Sequence, residues 1–272
     1  MKYISRISAI LLLIVMAFSA NAQFDIISAK DAKNLVKDDK VIFVSTRKAE
    51  DYAKVHINNA INLEIKSLYQ DGPVEGLLMN AADMAKVLGE NGIDPAKTII
   101  IYDNGKYVYA GHLYFALKYL GYPNVKILDG HMSGWRSVRG PVTRSPFTKS
   151  ALTVTPKVNS SIMVDYNYTK GKVNNAGTII VDVQSPTEFA EGHIPGAINM
   201  EYKLFINEES TTLKSKEEIE KVLADHKIAK NKEVILYCAS SARAGTVYLA
   251  MKGLGYNNLK IYEGGWNQWK TK

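Results

Sequence analysis

The chain repeats itself. Val41 to Arg47, Tyr52 and His56-Ile-Asn-Asn-Ala-Ile-Asn62 are answered by Ile179 to Gln184, Phe189 and His193-Ile-Pro-Gly-Ala-Ile-Asn199. Thr98-Ile-Ile-Ile-Tyr102 is answered by Glu233-Val-Ile-Leu-Tyr237, and Leu120-Gly-Tyr122 by Leu254-Gly-Tyr256. Ile127-Leu-Asp-Gly130 is answered by Ile261-Tyr-Glu-Gly264, and Trp135 by Trp269. The same elements in the same order, twice, mean a duplicated domain.

Each half reads as α/β. The short β-branched runs are apolar on both faces and bounded by turn residues, the pattern of strands buried inside a parallel sheet. Between the last two runs of each half lies a helix. Leu113, Leu117 and Leu120 share one face of it in the first half, as Val247, Met251 and Leu254 do in the second. Strand, helix, strand within about thirty residues is a βαβ unit. The expected architecture is two tandem domains, each a mostly parallel sheet covered by helices, over 23–145 and 161–272. The stretch from Pro141 to Ser161, rich in Pro, Ser, Thr and Lys, supplies the linker, set at 146–160.

Residues 1–22 do not read as part of either domain. Lys2 and Arg6 precede the apolar run Ile7–Phe18, and Ser19-Ala20-Asn21-Ala22 offers small residues where a signal peptidase reads. The run is short for a membrane span. A cleaved signal peptide is expected, with an exported product, periplasmic or secreted. No later run is long and apolar enough to span a bilayer. A net charge of +7 spread through a chain with 22% charged residues is no nucleic-acid tail.

The chain has one cysteine, Cys238. That excludes an intrachain disulfide and zinc sites built on paired cysteines. His112, His131 and His226 show no metal-ligand spacing, and no phosphate-binding glycine loop is present. A lone thiol in an exported protein is either buried and inert or kept unpaired for its chemistry. Its position favours chemistry, because Cys238 closes a parallel strand just before a helix, where open α/β sheets bind ligands. A curled loop from Ala239 through Ser240, Ser241 and Ala242 to Arg243 would aim backbone N–H groups at the sulfur. The helix N-terminus and the Arg243 charge add to that field. Together they are expected to lower the thiol below its ordinary value of about 8.5 and to stabilise an anion carried on the sulfur.

Asp182-Val-Gln184, Glu188-Phe189, Gly192 to Asn199, the Cys238–Arg243 loop and Glu263-Gly-Gly-Trp266 with Trp269 together resemble the tandem-domain rhodaneses, a sulfurtransferase family. The resemblance covers nearly the whole chain after residue 22. It implies a catalytic second domain and an inactive first domain with Asp103 in the cysteine's place. The six residues from Cys238 to Arg243 match the sulfurtransferase loop; phosphatases of this fold have one more. The resemblance implies that Cys238 takes a sulfur atom from thiosulfate or a similar small anionic donor and passes it, as a persulfide, to cyanide or a thiol. The amides of Ala239 to Arg243 would hold the persulfide, Arg243 would guide the donor, and Ser240 and Ser241 would donate to its oxygens. No metal or organic cofactor is needed.

Two departures bear on the donor. Gln184 stands where many relatives carry an arginine, which the first half keeps as Arg47, and the loop Ala-Ser-Ser-Ala-Arg is closer to single-domain relatives. They leave open an alternative, a sulfur- or redox-responsive binding module with little turnover. His56 and His193 read as structural, since neither has a partner acid in sequence. Trp266 and Trp269 read first as core residues, with a pocket wall the other reading of Trp266, because Gly264-Gly265 lets that turn approach closely.

Overall fold

The computed structural model describes residues 24–272, so the expected signal segment lies outside the described residues. Two five-stranded sheets carry the fold, and every strand pair within them is parallel. In the first, the spatial order is Ile26–Ile27, Val125–Leu128, Thr98–Tyr102, Val41–Ser45 and Ala60–Asn62. The second repeats it with Met163–Val164, Leu259–Tyr262, Glu233–Tyr237, Thr178–Asp182 and Ile198–Asn199. The duplication read from the sequence is therefore a duplicated sheet, strand for strand.

Alternation along each strand divides the core. Ile42, Val44, Ile99 and Ile101 point to one side of the first sheet, and Phe43, Ile100 and Tyr102 to the other. In the second sheet Val181, Val234 and Leu236 face one way, and Ile180, Ile235 and Tyr237 the other. The first set from each domain belongs to a single shared core; the second sets form two private ones. A strand with apolar residues on both faces is what a sheet buried on both sides requires.

The shared core changes the expected helices. A single apolar face was expected, but Val108–Tyr119 and Ala244–Gly253 are buried almost all round. One side of each lies on its own sheet and the other on its partner helix. Gly111 and Gly245 let the backbones meet. A Cβ at Gly245 would lie 2.3 Å from the Gly111 carbonyl oxygen, and one at Gly111 2.7 Å from the Thr246 nitrogen. Phe115 and Tyr248 then pack edge to face at 5.3 Å.

Each domain also reaches across to the other. Tyr69 and Leu78 form an antiparallel bridge, as Ile206 and Leu213 do. The Leu78 N–H donates to Glu263 of the second domain at 3.1 Å, and the Leu213 N–H to Asp129 of the first at 3.0 Å. The segment between the domains runs along the first one, where Leu152 donates to Gly89 and Lys157 to Leu120.

Candidate active site

Cys238 directly follows the strand Glu233–Tyr237, and Asp103 directly follows its counterpart Thr98–Tyr102. The Cys238 loop turns through Ser241, whose φ of +60° is left-handed, into the helix Ala244–Gly253. The Glu263–Trp266 turn pins it from below. Trp266 N–H donates to the Cys238 carbonyl at 2.8 Å and Asn267 N–H to the Ala239 carbonyl at 2.9 Å. Gly265 has φ +55°, and a Cβ there would lie 2.4 Å from the Cys238 oxygen. This is why a glycine directly precedes Trp266. The indole itself packs over Gly192 and against the private core of the second domain, and it does not line the cleft described below.

The loop residues separate by environment. Ala239, Ser240 and Arg243 are half-buried, whereas Ser241 and Ala242 are buried. The Ser241 hydroxyl donates to the Tyr262 carbonyl. Its one proton is committed there, so its side chain ties loop to sheet, whereas the sequence predicts that it donates to the oxygens of a donor anion.

Cys238 is 1% exposed. Burial pushes its thiol up; the Arg243 charge and the N–H groups of Arg243, Ala244 and Ser240 pull it down without cancelling burial. The expected lowering of this thiol is thus corrected: the attractive effects are all present, but desolvation outweighs them. Arg243 is not free either. Its guanidinium grips Glu188 in a two-point pair, Nη1 to Oε2 at 2.7 Å and Nη2 to Oε1 at 2.8 Å. That grip holds the Glu188 carboxyl down at about 2. Glu188 also completes a capping box with Ser185 at the start of the helix Pro186–Glu191. The pairing was not read from the sequence, although Ser-Pro-Thr-Glu announces the cap.

The first domain supplies a comparison. Asp103 Oδ1 accepts from the N–H groups of Gly105 at 2.7 Å and Tyr107 at 3.3 Å, and Oδ2 from Ala110 at 3.2 Å. The loop here cradles a carboxylate of its own. Aligned on the touching Gly111 and Gly245, it is one residue longer than the Cys238 loop, and Tyr109 takes the position of Arg243. Arg47 is spent on Asn104 and on the Asp51 and Val55 carbonyls. Gln184, its counterpart, is buried on Asp182 at 3.1 Å.

A cleft of about 300 Å³ opens over the Cys238 loop. Ser240 and Ala242 line it from the second domain; Lys48, Glu64, Lys66, Tyr69, Glu75 and Tyr109 line it from the first. Sequence reasoning assigned the first domain no part in the site, since nothing in a linear motif shows which residues the duplication brings opposite the cysteine. A larger groove of about 670 Å³ touches Glu263 and Gly264 but none of the Cys238–Arg243 residues. His56 and His193 sit in matching structural roles: each bonds a backbone carbonyl at 2.8 Å, of Tyr52 and Phe189, and stacks on that ring.

Comparison with known proteins accords with this architecture. The Rhodanese-like domain model matches residues 28–138 and again 165–272. A protein of Mycobacterium bovis named "Putative thiosulfate sulfurtransferase 1" is 30% identical, with 90% of this chain and 94% of that protein covered. The thiosulfate sulfurtransferase of Pseudomonas aeruginosa is 28% identical over 85% of this chain and 88% of its own. Among solved structures, 3-mercaptopyruvate sulfurtransferase SseA of Escherichia coli superposes with a TM-score of 0.84 at 23% identity, covering 90% of this chain and 99% of that one. With both halves matched and the repeat resolved into two equal sheets, the chain is a tandem-domain member of the rhodanese-like sulfurtransferase family.

Proposed function

We propose that the protein moves a sulfane sulfur from thiosulfate, or a similar small anionic donor, to a thiol or cyanide acceptor through a persulfide on Cys238. The observation that carries this reading is that loop N–H groups act on the side chain that follows the central strand in both domains. In the first domain they bond the Asp103 carboxylate; in the second, those of Arg243, Ala244 and Ser240 favour the charged form of the Cys238 sulfur against its burial. A loop built to hold an anion, with a nucleophile in place of the resident carboxylate, suits a sulfur that carries charge during the reaction.

In the first step a Cys238 lone pair attacks the outer sulfur of thiosulfate. The donor's S–S bond breaks, its electron pair leaves with sulfite, which takes up the Cys238 proton and departs as hydrogen sulfite, and Cys238 holds the persulfide anion. In the second step the acceptor attacks the outer sulfur, and the bonding pair returns to Cys238. Loop amides hold the charge in both states, and Arg243 lies close enough to act on it. Ser240 faces the cleft with its hydroxyl toward incoming donor oxygens in this reading.

A second reading, a sulfur-responsive binding module with little turnover, draws support from the raised thiol and from the Arg243–Glu188 pair, which engages the arginine of the cysteine loop. Intact mass after incubation with thiosulfate tests the first step. One added sulfur atom is expected, absent from Cys238→Ser and removed by cyanide; no adduct would end the sulfurtransferase reading. Turnover of about 1 s⁻¹ or more would end the binding-module reading.

A further inference from the structure

Two buried titratable side chains and a half-buried one meet where the domains join, and the two-step scheme uses none of them. The Tyr69 hydroxyl and His112 Nδ1 are 3.1 Å apart. On the other side of the same ring, His112 Nε2 stands 3.7 Å from Glu263 Oε1. His112 is fully buried and Glu263 is 6% exposed. Both His112 Nε2 and Glu263 Oε2 lack any hydrogen-bond partner. Unpaired polar atoms this deep are costly and call for an explanation. Tyr69 and His112 belong to the first domain and Glu263 to the second, in the turn that pins the Cys238 loop.

The duplication provides an internal control. Leu78 bonding to Glu263 is mirrored by Leu213 bonding to Asp129, so the cross-domain carboxylate is a feature of both halves. The other two residues are not. Ile206 pairs with Leu213 as Tyr69 pairs with Leu78, and Thr246 follows Gly245 as His112 follows Gly111. Packing is thus satisfied by an isoleucine and a threonine on the side that faces Asp103. Only on the side that faces the cysteine do a phenol and an imidazole occupy these positions. Tyr69 lines the cleft beside Ser240 and Ala242.

We propose that Tyr69, His112 and Glu263 form a proton relay that takes the proton of a thiol acceptor in the second half-reaction. The scheme rests on the Cys238 persulfide proposed above. As the acceptor RSH approaches the outer sulfur, its proton moves to the Tyr69 oxygen while the Tyr69 proton moves to His112 Nδ1. The thiolate RS⁻ forms the new S–S bond, the Cys238 S–S bond breaks, and its electron pair returns to Cys238. The products are RSS⁻, the Cys238 thiolate and an imidazolium facing the Glu263 carboxylate, and the relay is reset by releasing the proton to water. The His112–Glu263 separation is long for a hydrogen bond but suits an ion pair. Burial and the nearby charges of Glu263, Tyr109, Cys238 and Glu75 hold the phenol up, so Tyr69 alone is no base; it needs the imidazole behind it. Tyr69 is the residue that meets the acceptor; His112 and Glu263 act through it.

The full-length protein is loaded with thiosulfate, freed of excess donor, and mixed at pH 7 with either 2-mercaptoethanol or sulfite. Sulfite arrives with an unprotonated attacking pair and needs no base. Loss of sulfur from Cys238 is followed by intact mass. Tyr69→Phe and His112→Gln are expected to load normally, to lose about 10²-fold in transfer to 2-mercaptoethanol and to match wild type with sulfite. An aryl thiol already ionised at pH 7 is expected to restore their rate. Equal losses with both acceptors, no loss with either, or failure of Tyr69→Phe to load would overturn the relay. A wild-type protein that takes up no sulfur would instead bring down the persulfide reading on which it rests.

Discussion

Arg243 holds Glu188 through two hydrogen bonds of 2.7 and 2.8 Å, and in doing so turns the one arginine of the cysteine loop into half of an ion pair. A guanidinium fork matched to a carboxylate is a rigid arrangement. It fixes where the helix Pro186–Glu191 docks, and it subtracts charge from the place where a dianionic donor would approach.

Glu188→Gln separates these two effects. Glutamine still serves a capping box, so the helix start survives. Freed from its partner, Arg243 is expected to lower the KM for thiosulfate about fivefold, the ~1 kcal/mol typical of a partly exposed charge. Stability moves the other way. The folded carboxyl, held at about 2, lies below the ordinary value, so its contribution is present above pH ~4.3 and lost as pH falls toward 2. Glu188 is 39% exposed, and screening reduces the contribution to about 1 kcal/mol. Urea titrations of both proteins at pH 7 and pH 3 check this: the gap should narrow at the lower pH. An unchanged KM would mean that Arg243 does not meet the donor.

Alkylation of the resting enzyme by iodoacetamide, followed by intact mass from pH 6 to 10, should rise with a midpoint above that of an ordinary thiol, about 8.5. Burial disfavours the thiolate more than Arg243 and the loop amides favour it. The linked stability follows: the neutral buried thiol stabilises the fold below the unfolded value, and that contribution fades as pH climbs through the folded one. Arg243→Met should push the midpoint higher still. A midpoint near 7 would contradict this balance.

The contrast with the expected lowering shows where the sequence is legible. Strand runs, turn glycines and the repeat are local patterns, and they specify both sheets, because alternation and chain order determine parallel topology. Cys238 at a strand end and six residues to Arg243 are equally local. The reach of Glu188 to Arg243 depends on how a helix docks within the second domain, and the approach of Tyr69 and Tyr109 to the cleft on how two domains pack. Residues far apart in sequence decide those properties, and the apolar patterns that direct the packing carry no mark of which polar group they bring along. Ser241 illustrates the same point: its hydroxyl is taken by Tyr262, a residue of the neighbouring strand.

Gly265→Ala should damage the site without touching it chemically. Its φ of +55° disfavours any side chain, and the new Cβ would press on the carbonyl oxygens of Cys238 and Ala239 at 2.4 and 2.5 Å. Strain of this kind costs about 1–3 kcal/mol, or several degrees of melting temperature in a protein of this size. Uptake of sulfur from thiosulfate should fall with it, since the loop must shift. Gly171→Ala, where the nearest atoms stand off at 3.5 Å, serves as the control in the same melting and mass measurements.

Asp103→Cys, made in a Cys238→Ser background, asks whether the first domain is only a nucleophile short of activity. The amides of Gly105, Tyr107 and Ala110 already surround the position, so an anion would be held there. Two other parts are missing. Tyr109 stands where Arg243 would be, and the loop is one residue longer, so its N–H groups span a carboxylate with two oxygens in place of a single sulfur. Removing the carboxylate also leaves buried amides with a weaker acceptor, at about 1–3 kcal/mol. The expected result is a folded, less stable protein that gains no sulfur from thiosulfate by intact mass, while Cys238 in the parent does. Sulfur uptake at the new thiol would mean that the cradle alone suffices, and that the arginine and the tighter loop of the second domain serve specificity more than bond formation.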